Sequence, residues 1–320
     1  IVYFWGVKLE YRKIIKFGKS SFVVSLPKDW LNTRNLDQGD TVYMDEVDGN
    51  LMLLPEKKKR KELMSIEIDV SNLDEREIQR KIISAYIQNY NVLHIYGKHF
   101  SKKVKSIKEI VQNLIALEIM EETSDKVVAK DFLNMEELSL QNLMKRMDVI
   151  TRSMYLDSIK CFDEDIVESI LQRDADVNRL LFLVKRMIRN YMEQPNFVRS
   201  KLQNSDLMKS DSIAREIEVI ADNAKRIARL LKMVKYSKND IKKIKALMEK
   251  VYSFYEGSMK AFYKNDKEAA FKMASRKSTL IREAKDILSE TMSIKWSPSV
   301  IEKIKSVIIA CNSINRDIYS

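Results

Sequence analysis

No glycine occurs between Gly97 and Gly257, and Pro195 is the one proline in that interval. A stretch of this length, without residues that supply positive φ or remove a backbone N–H, has few places to turn, and long helices need few. The other glycines crowd the front of the chain: Gly6, Gly18, Gly39, Gly49 and Gly97 are five of the 6 in 320 residues. No pair of them has the spacing G-x-G-x-x-G or G-x-x-x-x-G-K, which excludes Rossmann-type and Walker-type phosphate cradles. A hydrophobic fraction of 45% and a charged fraction of 32% suit a globular chain. At 320 residues it exceeds the usual single core, so two to four units are expected.

The front reads as short strands around one helical turn. Tyr11 to Phe17 and Phe22 to Leu26 are strand-like and flank the turn Gly18-Lys19-Ser20-Ser21, while Pro27 opens a short helix over Lys28 to Thr33. Asp37-Gln38-Gly39-Asp40 leads into a strand from Thr41 to Val47, and Asp48-Gly49-Asn50 signals a hairpin returning through Leu51 to Leu54. This unit, residues 8-56, is too small and strand-rich to bury a sufficient core alone, so pairing with a second copy is expected. The basic run Lys57 to Lys61 makes 57-63 a linker. Residues 64-133 then alternate as strand (Met64 to Val70), helix (Asp74 to Gln88), strand (Val92 to Tyr96), helix (Ser101 to Leu117) and two short strands, near Glu118 and Lys126. That order predicts a small α/β unit.

From Met135 onward the apolar residues keep helical time. Leu140, Leu143, Met147, Ile150 and Met154 step by three and four, as do Ile170, Asp174, Val177, Leu181, Val184, Ile188 and Tyr191, then Ile213, Ile217, Ile220, Ala224, Ile227, Leu231 and Val234. Breaks at Gln194-Pro195-Asn196, Ser237 to Asp240, Lys264-Asn265-Asp266 and Ser297-Pro298 predict later helices near 241–263, 266–294 and 299–319. Six helices in two sets of three, 135-236 and 239-320, suggest an internal repeat.

Several chemistries lack material. Cys161 and Cys311 lie far apart in apolar helical stripes, which argues against a disulfide framework or zinc site and for a reducing, cytoplasmic setting. His94 and His99 are the only histidines, too few for a histidine triad or zinc protease. No run has the eighteen or so uncharged residues of a membrane span, so no membrane insertion is expected. The chain is therefore not read as an enzyme. Charge is uneven: residues 1–36 hold seven basic and two acidic side chains, and 225–320 hold 22 and 10, flanking an acidic middle. Basic ends of this kind suit a polyanion.

The front unit resembles the AbrB/MazE/SpoVT family of swapped-hairpin DNA-binding domains. The resemblance rests on Tyr11-Arg12-Lys13-Ile14-Ile15-Lys16, Gly18-Lys19-Ser20-Ser21, Val24-Ser25-Leu26-Pro27-Lys28-Asp29-Trp30 and Asn35-Leu36-Asp37-Gln38-Gly39-Asp40-Thr41-Val42. It implies a homodimer with interleaved strands, presenting Arg12, Lys13, Lys16, Lys19 and Ser20 to double-stranded DNA, with Lys28 and Arg34 added from the short helix. Without the family, a basic strand and loop of this composition still suits phosphates, each neutralised phosphate adding about 0.9 to the salt slope of log K. Arg12 is the natural base reader, because its fork pairs with guanine. The plainer alternative is a charged strand edge that blocks aggregation.

The helical region resembles the PhoU family of phosphate-uptake regulators, built from tandem three-helix bundles. Asp174-Ala175-Asp176-Val177-Asn178 and Glu218-Val219-Ile220-Ala221-Asp222 match its acidic motifs, and Pro195 falls in a connection where that family usually has one. The family binds metal at these motifs, so the resemblance implies a divalent metal or iron held by Asp174, Asn178, Glu218 and Asp222. Each motif is an i,i+4 pair on one helix face, and oxygen donors converging from two neighbouring helices would suit such a cation. Pairing with Arg179, Arg215 or Arg226 would account for Glu218 and Asp222 equally well, whereas Asp174, inside an apolar stripe, needs a partner. The second repeat departs from the pattern: Lys277 stands where Asp174 stood, and the last helix offers Asn315 and Tyr319 in place of an acidic pair.

The order of parts resembles an archaeal PhoU-type transcription regulator. The fold class expected is α+β multidomain: a swapped-hairpin head, a small α/β middle unit and two three-helix bundles. The function implied is a homodimeric DNA-binding regulator of phosphate homeostasis. The alternative is an adaptor docking on a phosphate transporter or sensor protein, with the head serving only to dimerise.

Overall fold

The computed structural model describes residues 2–4, 7–47, 50–55, 63–193 and 204–320. Residues 57–62 of the predicted linker, the hairpin signal at Asp48 and Gly49, and the break at Gln194-Pro195-Asn196 lie outside them. The chain divides into two compact units, Ile1–Glu62 and Leu63–Ser320.

Among its described residues, the first unit is three antiparallel hairpins and one short helix. Strand β1 (Val2–Phe4) pairs with β2 (Val7–Leu9), β3 (Ile15–Phe17) with β4 (Ser21–Val23), and β5 (Val42–Val47) with β6 (Asn50–Pro55). Gly18 closes the β3–β4 turn at φ 68°, where glycine alone is unstrained. Helix α1 (Lys28–Arg34) starts behind Pro27 and stops at Asn35, whose left-handed backbone returns its N–H to the last turn. Leu36 is the buried apolar residue of this unit among those described, while Tyr11 is 75% and Ile14 74% exposed, with Phe17, Phe22 and Met44 nearly as open.

The second unit begins with a four-stranded sheet in the order β7-β8-β10-β9. Strand β7 (Ser65–Asp69) runs parallel to β8 (Val92–Tyr96) through the crossover helix α2 (Glu75–Ile87), which Asp74 and Glu77 start with a reciprocal capping box. Helix α3 (Val104–Gln112) leads to the hairpin β9 (Leu117–Glu122) and β10 (Lys126–Asp131). Ile68, Leu93, Ile95, Val127 and Ala129 face the helices and meet Ile78, Ile82, Ile107 and Val111 in one core. The helix predicted from Ser101 is shorter: Phe100–Lys102 is a 3-10 turn, and α3 ends so that Ala116, at φ 60°, can aim the chain into β9.

Among the described residues, seven α-helices complete the unit: α4 (Leu140–Lys160), α5 (Val167–Glu193), α6 (Asn204–Leu231), α7 (Lys238–Lys264), α8 (Lys267–Ala274), α9 (Arg276–Thr291) and α10 (Ser297–Tyr319). α4, α5 and α6 pack together, α10 packs on α7, α8 and α9, and α10 also lies along α6, so both sets share one core. The single helix predicted over 266–294 is two. It breaks at Ser275, whose hydroxyl bonds the Lys272 carbonyl at 2.8 Å and competes with the helical ladder. Ahead of that break Met273 lies over α7 in the space that a side chain on Gly257 would take.

A buried ion pair ties sheet to helices. Arg186 of α5 bonds Asp131 at the end of β10 at 2.5 Å, the two side chains being 2% and 4% exposed, and its guanidinium lies 4.4 Å from the Tyr86 ring centroid. Burial raises the Asp131 carboxyl above its ordinary value although Arg186 pulls the other way. Removing one partner strands a buried charge, so Arg186→Ala is expected to lower unfolding stability by about 3–5 kcal/mol, whereas the double replacement Arg186→Met with Asp131→Leu recovers most of it. Urea unfolding of both variants checks this; equal losses in the two would show that the charges themselves do not matter.

Candidate functional site

The basic residues nominated in the head lie on β3, its flanks, the β3–β4 turn and α1. Strand pairing sets Lys16 opposite Phe22, on the face away from Ile15, Phe17 and Val23. Lys13, Lys16, Lys19, Ser20, Lys28 and Arg34 are all exposed, and the lysines and Arg34 form no ion pair among the described residues. Arg12 differs: its guanidinium bonds the Glu10 carboxylate at 2.6 Å and the Tyr11 carbonyl at 3.2 Å. Both side chains of that pair are about a third exposed, where such a bond contributes little and a phosphate could displace it.

The acidic residues nominated in the helices do meet, because α5 and α6 are neighbours. At their centre, however, lies an ammonium. Lys225 of α6 bonds Asp174 of α5 at 2.8 Å and Asp222, one turn before it, at 2.9 Å. Arg226 holds the other Asp222 oxygen at 2.6 Å, and the Asn178 amide donates to the Asp174 carbonyl at 3.1 Å. Burial alone would lower the Lys225 pKa, but its hydrogen bonds to Asp174 and Asp222 outweigh that and raise it. Glu218 is half-buried beside the group. Burial first, then Asp222 and Asp174, raise its carboxyl, against the pull of Lys225 and Lys185.

These residues do not fit the implied metal. Lys225 supplies the positive charge that Asp174 and Asp222 need, Asn178 turns its amide N–H₂ toward Asp174, and no group of three or more His, Cys, Asp or Glu among the described residues is set to hold an ion. Where four oxygen ligands were expected, the structure has a lysine-centred ion cluster. Arg226, one of the partners open to Asp222, does pair with it, and so does Lys225, whose i,i+3 spacing from Asp222 is legible in the sequence. Of the other proposed partners, Arg215 pairs with Asp211 and Arg179 reaches Asp176 at 3.8 Å.

The remaining singled-out residues take plain roles. Cys311 is fully buried, and burial pushes its thiol well above the ordinary value. Cys161 is half-buried at the end of α4, and His94 is partly exposed on β8. Lys277 is partly buried, and Asn315 donates to Ser258 at 2.8 Å and to the Cys311 carbonyl at 2.9 Å inside the second set of helices.

Glu218 gives a pH signature. Its folded pKa is raised, so the folded protein keeps a proton that the unfolded chain releases above about 4.5, and stability falls as pH climbs from there. Glu218→Gln is expected to melt higher than the parent at pH 7, the gain vanishing well below pH 4.5. Added manganese or magnesium is expected to leave the parent's melting temperature unmoved, and elemental analysis should find the same trace metal in the parent and in Asp174→Ala/Asp222→Ala. Stoichiometric metal lost in that variant would restore the ligand set.

Comparison with known proteins places both halves. The PhoU domain family model matches residues 144–231, which covers α5, α6 and most of α4. A second model, described as antidote-toxin recognition MazE, bacterial antitoxin, matches residues 15–61. No curated protein matches the chain. Among solved structures, PhoU from Pseudomonas aeruginosa is similar at 16% identity with a TM-score of 0.46, over 56% of this chain and 90% of that one. The chain therefore carries a MazE/AbrB-type domain at its front and a PhoU domain in its helical part.

Proposed function

We propose that this protein is a homodimeric, DNA-binding transcriptional regulator of phosphate homeostasis, not an enzyme, with the head reading DNA and the helical part relaying phosphate status. The observation that carries the reading is the state of the head: its hairpin and the segment before it expose Ile14, Ile15, Phe17, Phe22 and Val23 beside lysines that form no ion pair among the described residues. Apolar strands of this kind are stable once a second copy covers them, and two copies then double the basic surface. Within this reading 8-56 is the DNA-binding unit, 64-133 a small α/β domain, and 135-236 and 239-320 the two PhoU-like bundles. Phosphate as the theme rests on the PhoU match alone. The adaptor reading, with phosphate-transport or sensor proteins as partners, draws support from the Arg12–Glu10 bond, which occupies the nominated base reader.

Charge reversal separates the two. Arg12→Glu with Lys16→Glu is expected to abolish retention of double-stranded DNA at about 0.15 M salt while the dimer persists in sedimentation, and the parent's log K should fall with log salt by about 0.9 for each phosphate held. DNA binding that survives the reversal would leave the head as a dimeriser.

A further inference from the structure

One end of the second unit, made by the α6–α7 and α9–α10 connections, displays apolar side chains that no part of the core uses. Trp296 stands just ahead of α10 with φ 71° and ψ −9°, a left-handed backbone that a bulky side chain rarely takes. Trp296 is 41% exposed as a residue, and Met292 is 70% and Met233 52% exposed. The mount beneath them is firm. The Tyr236 hydroxyl donates to Ser297 Oγ at 3.0 Å, Ser297 Oγ to Thr291 Oγ1 at 2.7 Å, and Thr291 Oγ1 to the Ile287 carbonyl at 2.9 Å, with Ser297 and Thr291 buried. The interior thus holds a strained tryptophan outward, where simple packing would have turned it in.

The surroundings are cationic. Lys235, Lys238, Lys242 and Lys295 are exposed at this end and form no ion pair among the described residues, and the Lys295 ammonium lies 5.6 Å from the Trp296 ring centroid. Of the acids nearby, Asp163 is paired with Lys245, Asp165 with Lys232 and Glu290 with Lys243, while Asp240 caps α7 and Glu164 forms no ion pair among the described residues. We propose that this tip docks the protein on an anionic lipid surface, with Trp296, Met292 and Met233 entering the interface and the lysines facing the headgroups. Indole favours the boundary between headgroups and hydrocarbon, and each lysine near an anionic surface adds about fivefold to partition. Nucleic acid would satisfy the lysines but offers no apolar phase for two exposed methionines.

Full-length protein is sedimented with vesicles of phosphatidylglycerol or of phosphatidylcholine at about 0.1 M salt. Binding to the first and not the second is expected, weakened by more than about tenfold in Lys235→Glu/Lys295→Glu. Trp296→Gly separates docking from folding. Glycine takes φ 71° without strain, so its melting temperature should equal or exceed the parent's while vesicle binding falls severalfold. With Trp5→Phe and Trp30→Phe, emission from Trp296 should move to shorter wavelength on phosphatidylglycerol. Protein that stays in the supernatant with anionic vesicles, or binding that neither variant weakens, overturns the proposal.

Discussion

Helix α6 is the element on which the second unit hangs. Ile213, Ile217, Ile220 and Ile227 are fully buried, and so are Ala214, Ala221, Ala224 and Ala228. Large side chains fill the space toward neighbouring helices while the alanines let other backbones come close, the pairing of large with small that dense packing needs. Each buried isoleucine contributes about 1.5–3 kcal/mol, so this helix alone commits a large share of the fold. Because α6 packs on α4, α5 and α10 alike, the two sets of three helices share one core. The face left over carries Glu218, Asp222 and Lys225 to Asp174 of α5, so the ion cluster follows from the packing.

The same logic shows why that cluster holds a lysine. Asp174 interrupts an apolar stripe and is nearly buried, where an unpaired carboxylate is costly. A partner from a neighbouring helix resolves the cost whether it is a metal or an ammonium. Lys225 reaches both aspartates from within α6 and needs nothing from solution. The Arg186–Asp131 pair does comparable work at the other end of α5, joining sheet to helix.

Much of this was legible from the residues. The α2, β8 and α7 elements lie where their capping residues and periodicity put them, since Asp74 with Glu77 and Ser237 with Asp240 are local signals that tertiary packing did not override. What local signals miss is chosen over distance. Asp174 and Lys225 meet only because two helices are neighbours, and Arg186 finds Asp131 from far along the chain. The break at Ser275 is not legible in the sequence, because the periodicity runs on through it. Of the head, the turn at Gly18 could be read directly and its flanking strands only in part, since β3 and β4 span Ile15–Phe17 and Ser21–Val23 and leave residues 11–14 and 24–26 outside any strand, while the exposure of its apolar residues is visible only in the folded chain. The ammonium among the acids lay outside the motif that was read: Asp174, Asn178, Glu218 and Asp222 have the residue types and spacing that suggested a cation, and Lys225, which is not in that motif, bonds two of them.

The central claim is that the head directs this protein to particular DNA. The most direct test is to sequence the genomic fragments that purified full-length protein retains at about 0.15 M salt, with and without inorganic phosphate. Enrichment of fragments upstream of phosphate-transport genes, changed by phosphate, is the predicted result. Retention without enrichment, fading as salt rises, would contradict it and leave the head a means of pairing two chains.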